Sequence, residues 1–230
     1  MKKGNVIVIA PHPDDETLGC GGTLLMFKEN GYSINWIIIT SIFEEQGFLP
    51  EKISLRNKEI EKVCECYGFD EVINMQIPTT KVDEISMGTL ISNISEIFNK
   101  IKPNIILTPF IKDVHTDHRI TTEAVISCTK WFRYPFIEKI LYYETISETD
   151  FNIDPTAEKF LPNVYVDIYK YIDRKIEIMN IYKSEIDEFP FPRSKKAIRS
   201  LAYLRGSQCG FEAAEAFQLL RANIKCSYDI

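Results

Sequence analysis

The sequence predicts an α/β fold that is Rossmann-like, with a largely parallel sheet, helices on both faces and an active site at the carboxyl ends of the strands. Short apolar runs rich in β-branched residues, typical of strands buried on both faces, alternate with amphipathic stretches of helical period. That alternation is typical of strand–helix–strand units with parallel strands. The 230 residues contain no flexible linker, so we expect a single domain over residues 1–230.

The predicted elements follow one another in chain order. Strands are predicted at Asn5–Ala10, Ile34–Thr40, Glu71–Met75, Asn104–Thr108, Lys139–Tyr143 and Asn163–Val166. Helices are predicted from about Thr17, over 52–67, over 84–101 and from about Asp167 to Ile186. One or two further helices would carry Ile198, Leu201, Leu204, Phe217 and Leu220. Residues 144–163 follow neither period and are expected to be irregular.

The composition limits the classes of partner. The formal net charge is -6, which argues against a nucleic-acid-binding surface. No apolar stretch approaches the ~18 residues of a membrane span, and the run Val6–Ala10 is too short for a secretory signal. The six cysteines contain no C-x-x-C pair, so we expect reduced, mostly buried thiols of a cytoplasmic protein. The aromatic runs "WFRYPF" and "SIFEEQGF" fit a core, a contact between copies of a homo-oligomer, or a surface on which sugar rings stack.

The first predicted strand runs directly into His12, Asp14, Asp15 and Glu16. One or two acids would be enough to cap the following helix and complement its dipole. Three acids beside a histidine exceed that need, so this segment is a candidate for catalysis or metal binding. The glycines that follow, in "GCGGTL", match neither a P-loop nor a dinucleotide fingerprint, and we interpret them mainly as packing positions.

A second group of polar side chains follows the strand that ends near Thr108. It contains His115, Asp117 and His118, and the chain has only 3 histidines, each within three residues of an acid. Two histidines and one carboxylate with open positions are typical of a catalytic metal site. Zinc commonly uses such a set, and non-haem Fe(II) uses the same one.

At these residues the sequence resembles a known family. "APHPDDETLGCGGTL" and "HTDH" are similar to the two principal motifs of the PIG-L/LmbE-like N-deacetylases, which include the N-acetylglucosaminyl-phosphatidylinositol de-N-acetylases. "SLRNKEIEKVCECYGF" and "YLRGSQCGFEAAEAF" are similar to two further segments of that family. The matches run in order from residue 6 to about residue 217, whereas 120–165 matches nothing useful.

The resemblance implies a zinc-dependent enzyme and assigns its ligands. His12, Asp15 and His118 would bind Zn2+. Asp14 would be the general base, because a carboxylate that binds the metal cannot also move protons freely.

The resemblance also implies roles around the substrate. His115 would face the scissile carbonyl, and Asp117 would orient it and keep it protonated, so that it stabilises the oxyanion or acts as an acid. Arg56 would reach the substrate. The alternative for Arg56 is an exposed helix arginine paired with Glu59 or Glu51.

The expected activity is therefore hydrolysis of an N-acetyl group on an amino sugar such as N-acetylglucosamine, or on its conjugate, with release of acetate. The expected partner is that small N-acetylated sugar or glycoconjugate. Two alternatives stay open: an Fe(II)-dependent oxygenase with the same triad, and a non-catalytic sugar- or nucleotide-binding module. The binding module would have no need of Asp14 beside Asp15. A different amide, such as a thiol–sugar conjugate, would keep the mechanism and change only the cavity.

Overall fold

Seven strands form one sheet in the computed structural model, which describes residues 3–224. The strands are β1 (Asn5–Ala10), β2 (Ser33–Ser41), β3 (Glu71–Pro78), β4 (Ile105–Pro109), β5 (Lys139–Tyr143), β6 (Val164–Asp167) and β7 (Ala214–Ala222). Their order is β3-β2-β1-β4-β5-β7-β6. The pairs from β3 to β5 are parallel, whereas β7 runs antiparallel to both β5 and β6. The predicted α/β fold with a largely parallel sheet is confirmed.

Helices cover both faces of this sheet. They are α1 (Asp15–Glu29), α2 (Pro50–Tyr67), α3 (Met87–Ile101), α4 (Thr116–Ser127), α5 (Ile172–Met179) and α6 (Lys195–Ser207), with short 3₁₀ helices at Glu44–Gln46 and Val82–Glu84. Val6 and Val8 of β1 point into the core formed with α1, α2, α5 and α6. Ile7 and Ile9 point into the opposite core, formed with α3 and α4. Because all four residues are fully buried, β1 is the central strand that its apolar run predicts.

The C-terminal third differs from the prediction in two places. Phe217 and Leu220 lie on β7 and not on a helix, because the segment pairs with β5 and β6. The helix predicted from about Asp167 to Ile186 is shorter, because Asp167 belongs to β6 and α5 ends at Met179. Beyond that point the chain turns, and the Tyr182 side chain is buried. Residues 144–163 contain no helix or strand, as predicted.

Helix α1 is fixed tightly to the sheet. A Cβ atom added at Gly19 would lie 2.2 Å from the Tyr143 ring, which confirms that this glycine serves packing. The Glu215 carboxylate of β7 accepts hydrogen bonds from the backbone N–H groups of Gly22 and Thr23 at 2.8 and 2.7 Å. The Lys175 ammonium group of α5 donates to the same carboxylate at 2.7 Å. The C-terminal strand β7 therefore helps to fix the position of α1.

The five cysteines within residues 3–224 are free thiols, and Cys20 and Cys128 are buried while Cys64, Cys66 and Cys209 are half-buried. Cys226 lies outside the described residues. Among the helices of 3–224, none has the length and apolar character needed to cross a membrane. A single-domain organisation, a cytoplasmic location and a homo-oligomeric state stay predictions.

Candidate active site

The two polar segments meet because β1 and β4 are adjacent parallel strands. His12 follows the carboxyl end of β1, and His115 and His118 follow the carboxyl end of β4. The His12 ring centroid lies 4.5 Å from that of His115 and 5.3 Å from that of His118. The site therefore lies at the edge of the sheet where ligands of α/β folds bind.

One candidate metal centre consists of His12, Asp15 and His118, whose nearest ligand atoms all lie within 4.8 Å of one another. His118 and Asp15 are buried, and the His118 Nε2 atom lies 3.2 Å from the Asp15 Oδ2 atom. That nitrogen makes no hydrogen bond of normal geometry, although a buried polar atom without a partner is costly. A cation between these atoms would remove that cost. Two imidazoles and one carboxylate thus fit a divalent metal of the zinc or iron type.

In both His12 and His118, the ring nitrogen that faces away from Asp15 contacts a second carboxylate. The Asp117 Oδ2 atom lies 3.1 Å from His12 Nε2, while His12 Nδ1 faces Asp15 Oδ2 at 3.5 Å. The Asp113 Oδ2 atom lies 2.8 Å from His118 Nδ1. Carboxylates in this position fix the tautomer and orientation of metal-binding imidazoles. Asp113 was not predicted from the sequence, although its place just before α4 and five residues before His118 was a usable signal.

These contacts determine which of the clustered side chains are protonated when no metal is bound. Burial lowers the pKa of His12, but hydrogen bonds to Asp117 and Asp15 outweigh it and raise that pKa to about 9. Burial likewise lowers the pKa of His118, yet the Asp15 charge and the Asp113 hydrogen bond raise it to about 10. Burial raises the pKa of Asp15, but the His118 charge outweighs it and holds that pKa well below its usual range. The metal-free cluster is therefore an ion-paired arrangement with protonated imidazoles around a carboxylate.

His115 is arranged differently from the expectation. Its Nδ1 atom accepts a hydrogen bond from the backbone N–H of Asp117 at 3.1 Å, while the Asp117 Oδ2 atom lies 3.9 Å away. The Asp117 carboxylate accepts instead from His12 and from the backbone N–H of Thr80. Burial and the His12 charge lower the pKa of His115 to about 4. His115 is therefore neutral near pH 7, and its Nε2 atom carries the proton.

Asp14 is held in an unusual backbone conformation, with a φ of 141°. Its backbone N–H donates to the buried Glu16 carboxylate at 3.0 Å, and its Oδ2 atom accepts from Arg193 Nη1 at 2.7 Å. Burial raises the pKa of Asp14 to about 8, although the Arg193 charge opposes the shift. A strained residue held from two sides is typical of a functional position. Arg193 is 179 residues from Asp14, and no local motif pointed to it.

A cavity of about 290 Å³ opens beside these groups. It is lined by His12, Pro13, Asp14, Thr40, Ser41, Ile42, Phe48, Lys52, Arg56, Asn57, Ile60, Thr79, His115, Glu148, Glu185 and Arg193. Of the aromatic residues noted in the sequence, Phe48 contributes to the wall. Trp131 and Phe132 lie on the surface and do not line the cavity.

Arg56 lies in the cavity wall, and its side chain is only 12% exposed. The guanidinium donates to the Pro13 carbonyl at 2.8 Å, pairs with Glu185, and lies 3.4 Å from Glu59. The structure thus places Arg56 at the cavity, as its proposed role requires. It also gives Arg56 the Glu59 partner of the alternative interpretation.

The family model, the relatives and the solved structure to which this chain is similar are all described as deacetylases. A family model described as PIG-L, GlcNAc-PI de-N-acetylase, matches residues 7–129. The probable N-acetyl-alpha-D-glucosaminyl L-malate deacetylase 2 of Bacillus cereus is 22% identical over 196 residues, covering 80% of this chain and 84% of the relative. The diacetylchitobiose deacetylase of Thermococcus kodakarensis is 23% identical over 229 residues, covering 94% and 82%. The solved structure of the N,N'-diacetylchitobiose deacetylase of Pyrococcus horikoshii with its inhibitor superposes with a TM-score of 0.75 at 20% identity, over 95% of this chain and 84% of that one.

Proposed function

This chain belongs to the PIG-L family, and we propose that it is a metal-dependent hydrolase that removes the acetyl group from the nitrogen of an amino sugar or its conjugate. The relatives described above are named as deacetylases of an N-acetylglucosaminyl malate and of diacetylchitobiose. The observation that carries the proposal is the convergence of His12, Asp15 and His118 beside a cavity that His12 and Asp14 line. The cavity volume of about 290 Å³ is just below the roughly 300–1,000 Å³ typical of sites for drug-sized ligands.

We propose that His12, Asp15 and His118 hold zinc in this enzyme. A divalent metal in that position supplies Lewis acidity, which makes a water molecule a better nucleophile and polarises an amide carbonyl. Asp117 keeps the His12 proton on Nε2, which leaves Nδ1 available to a metal. Asp113 keeps the His118 proton on Nδ1, which leaves Nε2 available. The two outer carboxylates therefore prepare both imidazoles to bind through the nitrogen nearest Asp15.

In the proposed reaction Asp14 takes a proton from water as the water oxygen attacks the acetyl carbon. The amide carbonyl oxygen becomes negatively charged, and the neutral His115 ring donates its Nε2–H to that oxygen. When the C–N bond breaks, Asp14 passes its proton to the departing nitrogen, which leaves as a free amine. The acetyl group leaves as acetic acid, which gives the second water proton to the amine or to solvent and becomes acetate. Asp14 thus serves as both base and acid, and His115 needs no net charge.

Arg56 has a more limited role in this proposal. Its donors already bind the Pro13 carbonyl, Ser184 and Glu185. These contacts use three of the five N–H groups of the guanidinium. In this proposal Arg56 holds the wall that carries Pro13 and keeps a remaining Nη1 N–H for the substrate.

An acetate-release assay tests the function. The purified protein is freed of metal, reloaded with zinc, and incubated with N-acetylglucosamine, a nucleotide-linked and a lipid-linked N-acetylhexosamine, with Asp14→Asn as the matched control. We expect zinc-dependent acetate release from at least one substrate and little from the control. Turnover that requires Fe(II) and O2 would support the oxygenase. Sugar binding without turnover, unchanged in Asp14→Asn, would support a binding module.

A further inference from the structure

Arg193 lies in the loop before α6 and extends into the cavity next to Asp14. Its guanidinium makes four hydrogen bonds. Nη1 donates to Asp14 Oδ2 at 2.7 Å and to Glu185 Oε2 at 3.2 Å. Nε donates to Ser147 Oγ at 2.8 Å, and Nη2 donates to Glu148 Oε1 at 3.1 Å. The side chain is 18% exposed, so most of these contacts are shielded from water.

We propose that Arg193 is a positioning residue for Asp14, a role that rests on the proposed function of Asp14 as the proton carrier. Arg193 is the one side chain among residues 3–224 that hydrogen-bonds to the Asp14 carboxylate. It binds a single oxygen, Oδ2, and leaves Oδ1 as the oxygen available to a water molecule in the cavity that Asp14 lines. Positioning of this kind matters because a displacement of about 1 Å can lower a rate about 10²-fold.

The surroundings of Arg193 favour positioning over substrate binding. A guanidinium has five N–H donors, and four of them are already used by the protein. Glu148 and Glu185 balance its charge from two further directions. A group held by four acceptors is a rigid support, and it has little capacity left to bind an anionic substrate.

The backbone of Asp14 explains why a support is required. A non-glycine residue at a φ of 141° persists only when its surroundings enforce that conformation. Glu16 holds the backbone N–H of Asp14, and Arg193 holds the carboxylate. The two contacts act on opposite ends of the residue and together fix the direction of the carboxylate.

The test compares three Arg193 variants with a matched control. Arg193→Met and Arg193→Ala should lower kcat about 10²-fold, while KM and metal content stay near those of the wild type. Arg193→Lys should keep part of the activity, because an ammonium group can still donate to Asp14. Millimolar guanidinium chloride should restore part of the kcat of Arg193→Ala. The control is Arg199→Met, which removes an ion pair with Asp173 on the surface and should leave kcat unchanged.

Several results would overturn the proposal. A raised KM with an unchanged kcat would make Arg193 a substrate-binding residue. Metal loss in Arg193→Lys, or no guanidinium rescue, would make its role structural. A double-mutant cycle on Tm with Asp14→Asn and Arg193→Met tests the contact without any assay of activity, and fully additive losses would refute it. If the wild type releases no acetate but the cycle shows coupling, the proposed function fails and the positioning contact stands.

Discussion

The His12 Nε2 atom lies 3.1 Å from the Oδ2 atom of Asp117, on the side of the ring that faces away from Asp15. Asp117 therefore acts on His12, although it lies only two residues after His115 in the sequence. Asp113 occupies the corresponding place behind His118. The two carboxylates fix the tautomers of histidines that could otherwise adopt either one, which is the arrangement that the proposed metal site requires.

Removal of either outer carboxylate should weaken metal binding. We expect Asp117→Ala and Asp113→Ala to lower zinc affinity by roughly 10–100-fold, because the imidazoles lose the partner that fixes their tautomer. Asp117→Asn should lose less, since an amide oxygen still accepts the N–H. Competition with a chromophoric chelator measures the affinity, and Asp83→Ala, which removes an exposed acid, is the control. Unchanged affinity in both Ala variants would contradict the assignment.

Metal affinity should rise with pH. In the metal-free protein the pKa values of His12 and His118 are about 9 and about 10, so both imidazoles carry protons at pH 7 that a metal must displace. Calorimetric titration with zinc in two buffers of different ionisation enthalpy should show about two protons released per ion at pH 7. Proton release near zero would mean that the imidazoles are neutral before the metal binds.

The pKa values of His12 and His118 also predict how the stability of the metal-free protein depends on pH. Their pKa values are raised above the unfolded value of about 6.5, so their contribution to the free energy of unfolding is fully present below that pH. It is lost as the pH rises through about 9 and about 10. The Tm of the metal-free protein should therefore fall between pH 7 and pH 10. A His118→Gln variant should show a smaller fall, and an equal fall would assign the effect to other groups.

Replacing Asp14 or Asp15 by asparagine should have different effects on metal binding and on turnover. Asp14→Asn should keep the metal and lower kcat by roughly 10²–10⁴-fold, as expected for a lost general base. Asp15→Asn should lose metal affinity, because its carboxylate lies between the two imidazoles. Metal analysis of both purified variants, beside their turnover, separates the two effects. Identical behaviour would refute the division of roles.

His115→Ala should lower kcat by roughly 10²–10³-fold with metal retained, as for the loss of an oxyanion donor. Because the pKa of His115 is about 4, its ring is already neutral through the range from pH 6 to pH 9. The variant should therefore keep the same acidic and basic limbs of the pH–rate profile as the wild type. A basic limb that disappears in the variant would show that a protonated His115 is required.

The packing of α1 gives a prediction about stability. Gly19→Ala would place a methyl group 2.2 Å from the Tyr143 ring, and we expect it to destabilise the protein by about 1–3 kcal/mol. Gly88→Ala is the matched control, because the nearest neighbour of its Cβ is the Ser86 oxygen at 4.0 Å, and it should raise stability by about 0.5–1 kcal/mol. Urea denaturation measures both.

Local patterns were sufficient to predict six of the seven strands and to place His12 and His118 at strand ends. The apolar run of β1 and the polar residues after it are adjacent in the sequence, and the rule that ligands bind at strand ends brings His12 and His118 together. Arg193 was not predicted, because its partner Asp14 is 179 residues away and no periodicity links the two residues. The resemblance also implied that Asp117 would orient His115, whereas the Asp117 carboxylate contacts His12.

The error at β7 has a physical origin of its own. "AEAFQLLRA" is rich in good helix formers, and propensity alone favours a helix there. Pairing with β5 and β6 outweighs that preference, because it buries Phe217 and brings Glu215 to the backbone of α1. Tertiary contacts of this kind routinely override weak local preferences.

The hydrogen bonds from the backbone of Gly22 and Thr23 to Glu215 also bear on the order in which the chain folds during synthesis. These partners are 193 and 192 residues apart. At roughly 5–20 residues per second of translation, the segment that contains His12 and Asp15 is synthesised on the order of 10–40 s before the carboxylate that secures its helix. The nascent chain thus carries its first candidate ligands long before their support, and the centre is completed only when β7 has left the ribosome and entered the sheet.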